Sequence, residues 1–271
     1  MTTTVADIIR ILDHMMPPAL AQQWDNVGLQ VGDPGRKVRR VWIALDPTAQ
    51  VVRAACRNKV DMLVTHHPLI FKPLSCVNFR RPVGAIIEQA AQNRLAIFAA
   101  HTNLDSVAGG INDILARRIG LQNLQPLEAA AQGTGTSAGE GIGRVGDLEG
   151  AIELESLVLR IQEALGLERI RFAGNRTLPV EKAAVCSGSG SGLLPEFFNS
   201  GAQAYISGDL RYHDARDAEA AHLGLVDIGH FASEHLIVEV LAERLGKIVA
   251  DKNMNVTVQA CDLEVDPFEY R

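Results

Sequence analysis

VRRVWIALDPTAQVVRAACRNKVDMLVT, residues 38–65, reads as strand, helix, strand. The runs VRRVWIALD and VDMLVT are short and apolar, whereas TAQVVRAACRNK between them carries apolar residues at helical spacing. A helix after Pro82 and a third apolar run, LAIFAA (95–100), continue the alternation, as βαβ units require. Upstream, residues 4–16 set Val5, Ile8, Ile9, Ile11, Leu12, Met15 and Met16 largely along one helical face. Thr3 or Thr4 is the expected N-cap of this opening helix, and Pro17-Pro18 its stop.

The second half repeats the first. AAVCSGSG (183–190) aligns under VWIALDPT (41–48), and QAYIS (203–207) under DMLVT (61–65), with one ungapped offset. RLAIFAAH (94–101) then matches HLGLVDIGH (222–230) at a shorter offset, because the first copy holds a longer loop around FKPLSCVNFRRP. The expected fold class is therefore α/β, with two related lobes. Residues 1–126 form the N-terminal lobe with most of the candidate metal ligands. The Gly/Ala-rich stretch 127–150 reads as a linker or loop, and 151–228 as the second lobe. Residues 229–271 supply a last helix, from about His230 to Leu245 with Gly246 ending it, and a strand, NVTVQA. That final segment is expected to complete the metal site and pack back on the first lobe.

Composition narrows the function. Of 271 residues 47% are hydrophobic and 21% charged, enough to bury a sizeable core. A formal net charge of -6 without clustered Lys and Arg argues against a nucleic-acid partner. Cys56, Cys76, Cys186 and Cys261 are too scattered for a Cys-x-x-Cys pair and read as reduced thiols. The opening MTTTVADIIRILDHMMPP lacks the features of a signal peptide, and no run reaches the roughly 18 apolar residues of a membrane span. The expectation is a cytoplasmic protein with no membrane partner.

The candidate chemistry collects at strand ends. His66 and His67 follow VDMLVT directly, and side chains alternating along an extended backbone can serve two metal ions. Taken alone, a His pair before Pro68 reads more readily as solvated loop than as a metal site, so its context decides. His101 and Asp105 in HTNLD stand four apart, as do His230 and Glu234 in GHFASE; on a helical turn each pair shares a face. Each also follows an apolar strand at equivalent places in the two copies, where open α/β sheets bind ligands. In SGDLRYHD, Asp209 aligns with His67, and Asp209, Tyr212 and His213 are candidates for substrate reading and proton transfer. The alternative is that Tyr212, His213 and Asp214 only cap the next helix. Ser187, Gly188 and Gly190 in SGSGSG are candidates for offering backbone N–H groups to phosphate, although the stretch lacks a Walker lysine and a tight turn explains the glycines nearly as well. WDNVGLQVGD reads as a turn into a strand with Trp24 packing.

WDNVGLQVG (24–32), VTHHPLIF (64–71), HTNLD (101–105), GIGRVG (141–146), SGDLRYHD (207–214) and GHFASE (229–234) together resemble the NIF3 family, also called YbgI-like or GTP cyclohydrolase 1 type 2-like. The resemblance covers nearly the whole chain in order. It implies a toroidal homohexamer and a dinuclear metal centre ligated by His66, His67, Asp105, His230 and Glu234. In that scheme Glu234 bridges, His67 and Asp105 complete one ion, and His66 and His230 the other. His101 matches a recurrent motif residue, either as a ligand, behind the ligands or facing substrate, and Ser187 stands where the family commonly has glycine. Imidazole and carboxylate donors suit two divalent ions of zinc, iron, manganese, cobalt or nickel. Such a pair, roughly 3.5 to 4 Å apart, activates water for hydrolysis. The leading expectation is a hydrolase opening a purine nucleotide ring. A metal-delivery protein without turnover, an interaction scaffold, or a phosphoesterase with the same ions are the alternatives.

Overall fold

In the computed structural model of the chain, residues 2–130 and 139–269 are described. They divide into two compact units, Met1–Leu104 with Ile237–Pro267, and Asp105–Leu236 with Phe268–Arg271.

The first unit opens with helix α1 (Val5–Met15). Thr4 is its N-cap: the Thr4 hydroxyl accepts from Asp7 N–H and the Asp7 carboxylate accepts from Thr4 N–H, a capping box worth about 1 kcal/mol. Then follow β1 (Gly28–Val31), β2 (Arg40–Ala44), α2 (Ala49–Arg57), β3 (Met62–Thr65), α3 (Pro82–Asn93), β4 (Ala96–Ala99) and α4 (Thr102–Ser106). The sheet order is β1-β4-β3-β2-β11, where β11 (Thr257–Ala260) returns from the C-terminus after helix α10 (Leu236–Asp251). All neighbours are parallel except β1, which runs antiparallel along the outer edge of β4. The register sets Trp42, Leu63 and Ile97 side by side on one face and Ile43, Val64 and Phe98 on the other. The first face packs with Val51, Val52, Ile86 and Ala90 of α2 and α3. Strands β3 and β4 are buried on both faces, which is why they read as unbroken apolar runs.

The second unit contains α5 (Ile111–Arg118), β5 (Gln122–Ala129), β6 (Gly141–Glu153), α6 (Leu154–Leu165), β7 (Arg171–Ala173), β8 (Pro179–Ser189), α7 (Leu194–Asn199), β9 (Ala204–Gly208), α8 (Tyr212–Ala220), β10 (Gly224–Asp227) and α9 (His230–Glu234). Its sheet order is β5-β6-β8-β9-β10-β7, with β8, β9 and β10 parallel. Alternate residues feed two cores. Ala183, Val185, Ala204, Ile206 and Val226 pack with Leu157 and Ile161 of α6. Ala184, Cys186, Tyr205 and Leu225 pack with Leu194 and Phe197 of α7. Arg144 of β6 is buried as well, its guanidinium held by Asp113 Oδ2 at 2.7 Å and by the carbonyls of Gly141 and Gly143. A buried charge needs this complete a partner set, because an unpaired one carries a desolvation penalty of several kcal/mol.

The duplication is visible in topology. The run β1-β4-β3-β2 matches β7-β10-β9-β8 strand for strand, with the same antiparallel edge and the same three parallel strands. Three expectations about the connections differ from the structure. The stretch read as a linker contributes β5 and β6, and its residues 131–138 lie outside the described residues. Residues 105–126 belong to the second unit rather than the first. The last helix is two, α9 and α10, and α10 runs through Gly246 to Asp251, since a lone interior glycine weakens a helix by only about 1 kcal/mol. All four cysteines are unbridged. Among the described residues, no helix is long and apolar enough to cross a membrane.

Candidate metal centre

In the first unit, β3 and β4 deliver three histidines to one place. His66 and His67 leave the end of β3 and His101 follows β4, and each brings a ring nitrogen within 4.8 Å of the other two. Each ring is fixed from behind. His66 Nδ1 lies 2.9 Å from the carbonyl of Ala100, His67 Nδ1 2.9 Å from Asp46 Oδ1, and His101 Nδ1 2.9 Å from Asp25 Oδ1. A carbonyl or an ionised carboxylate can only accept, so all three rings donate through Nδ1, which in the neutral imidazole leaves the lone pair on Nε2. This is the tautomer that metal-binding histidines adopt, with the outer oxygen raising ligand basicity. Asp25 is held hard in this role: burial alone would raise its carboxyl, but hydrogen bonds from His101 Nδ1 and from Thr102 hold it well below the usual carboxylate range.

In the second unit, α9 presents His230 and Glu234 one turn apart, with His230 Nε2 3.0 Å from Glu234 Oε2. His230 Nδ1 is 2.7 Å from Asp209 Oδ2 and donates to it, which in the neutral ring leaves the lone pair on Nε2. With the ring neutral, Nε2 and the carboxylate oxygen are two lone-pair donors aimed at one point, where either a proton on Nε2 or a metal ion satisfies both. About 3 Å is also the separation of two ligand atoms that each lie about 2.1 Å from one ion at a right angle. The donor set therefore fits a divalent metal. Space is kept for it by Gly188, in the left-handed region at φ 65°, where an added Cβ would lie 2.2 Å from Glu234 Oε1. Asp105 opens this unit in α4, and its carbonyl accepts from Asn112 Nδ2. Burial pushes the Cys186 thiol far up, and the carboxylates of Asp105 and Glu234 raise it further.

The remaining expected site residues fall differently. Asp209 leaves the end of β9 at φ 52° and bonds to His230, which makes it an orienting group. Tyr212 and His213 are exposed on the first turn of α8, edge to face at 5.4 Å. Asp214 caps that helix, accepting from Arg211 N–H at 2.8 Å and from the Ser191 hydroxyl, as the capping alternative required. Ser187 and Gly188 lie within β8, not in a loop, and their N–H groups are already given to Asn112 Oδ1 and Ser233 Oγ, both at 2.8 Å. These two N–H groups therefore do not form the phosphate cradle expected of them. Gly190 begins a 3-10 turn where a Cβ would meet Ser207 Oγ at 2.0 Å, so close packing explains that glycine.

Sequence reasoning missed Asp25 and Asp46. Asp25 lies inside WDNVGLQVG and Asp46 just past β2, at the same strand ends as the histidines. A search for acids beyond the carboxyl ends of parallel strands would have found Asp46.

The comparisons with known proteins agree with this architecture. A model of Duf34/NIF3 (NGG1p interacting factor 3) matches residues 3–267. A Clostridium acetobutylicum protein called GTP cyclohydrolase 1 type 2 homolog is 31% identical over 271 residues, 100% of either chain. A Streptomyces coelicolor protein of the same name is 32% identical, covering 97% of this chain and 93% of its own. Of solved structures, a Bacillus cereus protein related to NIF3 superposes with a TM-score of 0.91 at 26% identity over 100% of both chains. Reduced HcgD from Methanocaldococcus jannaschii superposes at 0.79 with 28% identity, over 97% of this chain and 99% of its own. From residue 3 to residue 267, then, the chain belongs to the Duf34/NIF3 family.

Proposed function

We propose that the chain is a cytoplasmic, homohexameric hydrolase that binds two divalent ions through His66, His67, Asp105, His230 and Glu234 and opens the purine ring of a guanine nucleotide. The observation that carries this reading is the common anchoring of four histidines through Nδ1, three of them by carboxylates. His101 shares that anchoring, which supports a place for it among the ligands or against them. Two bound divalent ions supply Lewis acidity and a water acidic enough to act as nucleophile near neutral pH. The protein's own groups do the rest. Asp25, Asp46 and Asp209 hold the imidazoles in one tautomer, and buried Glu234 would be the carboxylate shared by the two ions. His213, beside Tyr212, is the proton donor to the departing ring nitrogen. The names of the relatives supply the substrate class.

Protein purified without added metal, analysed for its elements and then incubated with GTP, tests the reading. Formate released as GTP disappears is the expected result. Intact GTP after long incubation of protein holding two ions rejects the ring opening, and phosphate without formate makes the chain a phosphoesterase. A second reading, metal delivery, draws on the 34% exposure of the His230 side chain; transfer of the ions to an apo-acceptor without turnover would favour it. Light scattering should give a hexamer mass at micromolar concentration; a monomer or dimer there contradicts the assembly.

A further inference from the structure

Two large aromatic side chains of the first unit stand in water beside its histidine cluster. Trp24 is 59% and Phe71 45% exposed, and their ring centroids are 5.7 Å apart with the planes at 62°. Both rings meet His101 edge to face, Trp24 at 6.1 Å and Phe71 at 6.3 Å. Rings left at the surface forgo roughly 25 cal/mol for each Å² that burial would remove from water, so an exposed aromatic pair calls for a use.

These rings are braced. Ile70 N–H, next to Phe71, donates to Gln30 Oε1 at 3.0 Å, and Asn26 Nδ2 donates to Ile70 O at 2.5 Å. Gln30 Nε2 closes the lacing by donating to Asn26 O at 2.9 Å. On the other side of Trp24, Asp25 is tied to His101 and Thr102. Each ring thus follows or precedes a residue pinned by hydrogen bonds, and the pair is held open rather than collapsed onto the core. Planes at 62° cannot sandwich a guest. They can stack one flat ring on one plate while the other plate meets its edge, the two geometries that the aromatic quadrupole favours.

We propose that Trp24 and Phe71 form an aromatic seat that binds a planar heterocyclic ring, of the nucleobase class, next to His66, His67 and His101. The identity of that ring as the one hydrolysed rests on the function proposed above; the binding does not. Sugar phosphates, which offer no π-face, are not held by the seat.

The test uses the full-length, metal-loaded protein. The chain has two tryptophans, so Trp42→Phe leaves Trp24 as the sole reporter. Guanosine should quench its fluorescence and ribose 5-phosphate should not. By equilibrium dialysis, Trp24→Leu and Phe71→Ala should each weaken guanosine binding about 10- to 100-fold, as loss of one base stack does, while Phe71→Tyr binds normally and metal content stays unchanged in all three. Absence of guanosine binding to the parent protein, or unchanged affinity in Trp24→Leu and Phe71→Ala, overturns the seat. So does a smaller assembly mass in those two variants, which would make the rings a contact between copies of this chain. Guanosine binding without formate release from GTP leaves the seat standing and removes the ring opening. Formate release with an unchanged KM in Trp24→Leu does the reverse.

Discussion

Asp209 Oδ2 accepts a hydrogen bond from His230 Nδ1 at 2.7 Å, and in the repeat Asp209 occupies the position of His67. The same strand end thus carries a metal-type histidine in one lobe and the orienting acid in the other. Asp209→Asn should lower metal affinity about 10- to 100-fold, the usual effect of losing a carboxylate behind a ligating histidine. A chelator-competition titration reads it, with the urea midpoint of metal-free protein unchanged. Equal affinity in the two proteins would remove Asp209 from this role.

Glu234 is nearly fully buried and faces His230 Nε2. If it bridges, Glu234→Gln should lower occupancy of both ions, whereas His230→Ala should mainly empty one. Elemental analysis showing two ions per chain in both variants would defeat the bridging assignment.

Gly188→Ala should expel metal by crowding Glu234, with every ligand residue left unsubstituted. The new methyl would stand 2.2 Å from Glu234 Oε1, and residue 188 already sits at φ 65°, where a side chain adds about 1 kcal/mol of strain. The expected result is a folded protein with a slightly lower Tm and at least about tenfold weaker metal binding, comparable to loss of a supporting group. Full metal occupancy in the variant would mean that the Glu234 carboxylate is not required where it stands.

Asp214 gives a pH prediction away from the metal residues. Burial alone would raise its carboxyl, but hydrogen bonds from the Ser191 hydroxyl and from Arg211, with the Arg211 charge, hold it below the usual range. A carboxyl depressed by folding contributes stability that is fully present above its unfolded value of about 3.9 and is lost as pH falls through the folded value. Asp214→Ala should therefore destabilise by about 1 to 3 kcal/mol at pH 7. The gap between variant and parent should close as the solution is taken below about pH 4. Urea unfolding at both pH values measures this, and a gap independent of pH would show that the charge on Asp214 does not matter.

The parallel strands were legible because both of their faces are buried: MLVT and AIFA are apolar at every position or nearly so, and no other element of that length needs to be. Helix α1 was legible from Thr4, Asp7 and its apolar stripe, all local signals. Strand β6 was hidden by its glycines. Gly141 and Gly146 read as linker residues, yet they are there because the backbone of the neighbouring strand β5 lies where a Cβ would be, 2.1 Å from Glu128 O and 2.7 Å from Gln122 O. The metal-type side chains could be found from strand ends, but their orienting partners could not be found by spacing. Asp25 is 76 residues from His101 and Asp46 is 21 from His67, separations set by sheet order and not by any turn of chain.

Asp209 holds its carboxylate against His230 from a backbone at φ 52°, a conformation that a glycine adopts without strain. Replacing it by glycine would relax the chain by about 1 kcal/mol and at the same stroke delete the acid. Selection for thermal endurance alone therefore pulls position 209 toward glycine, while retention of the ions pulls it toward aspartate. The residue found there in any descendant or engineered lineage is a record of which demand that lineage has been living under.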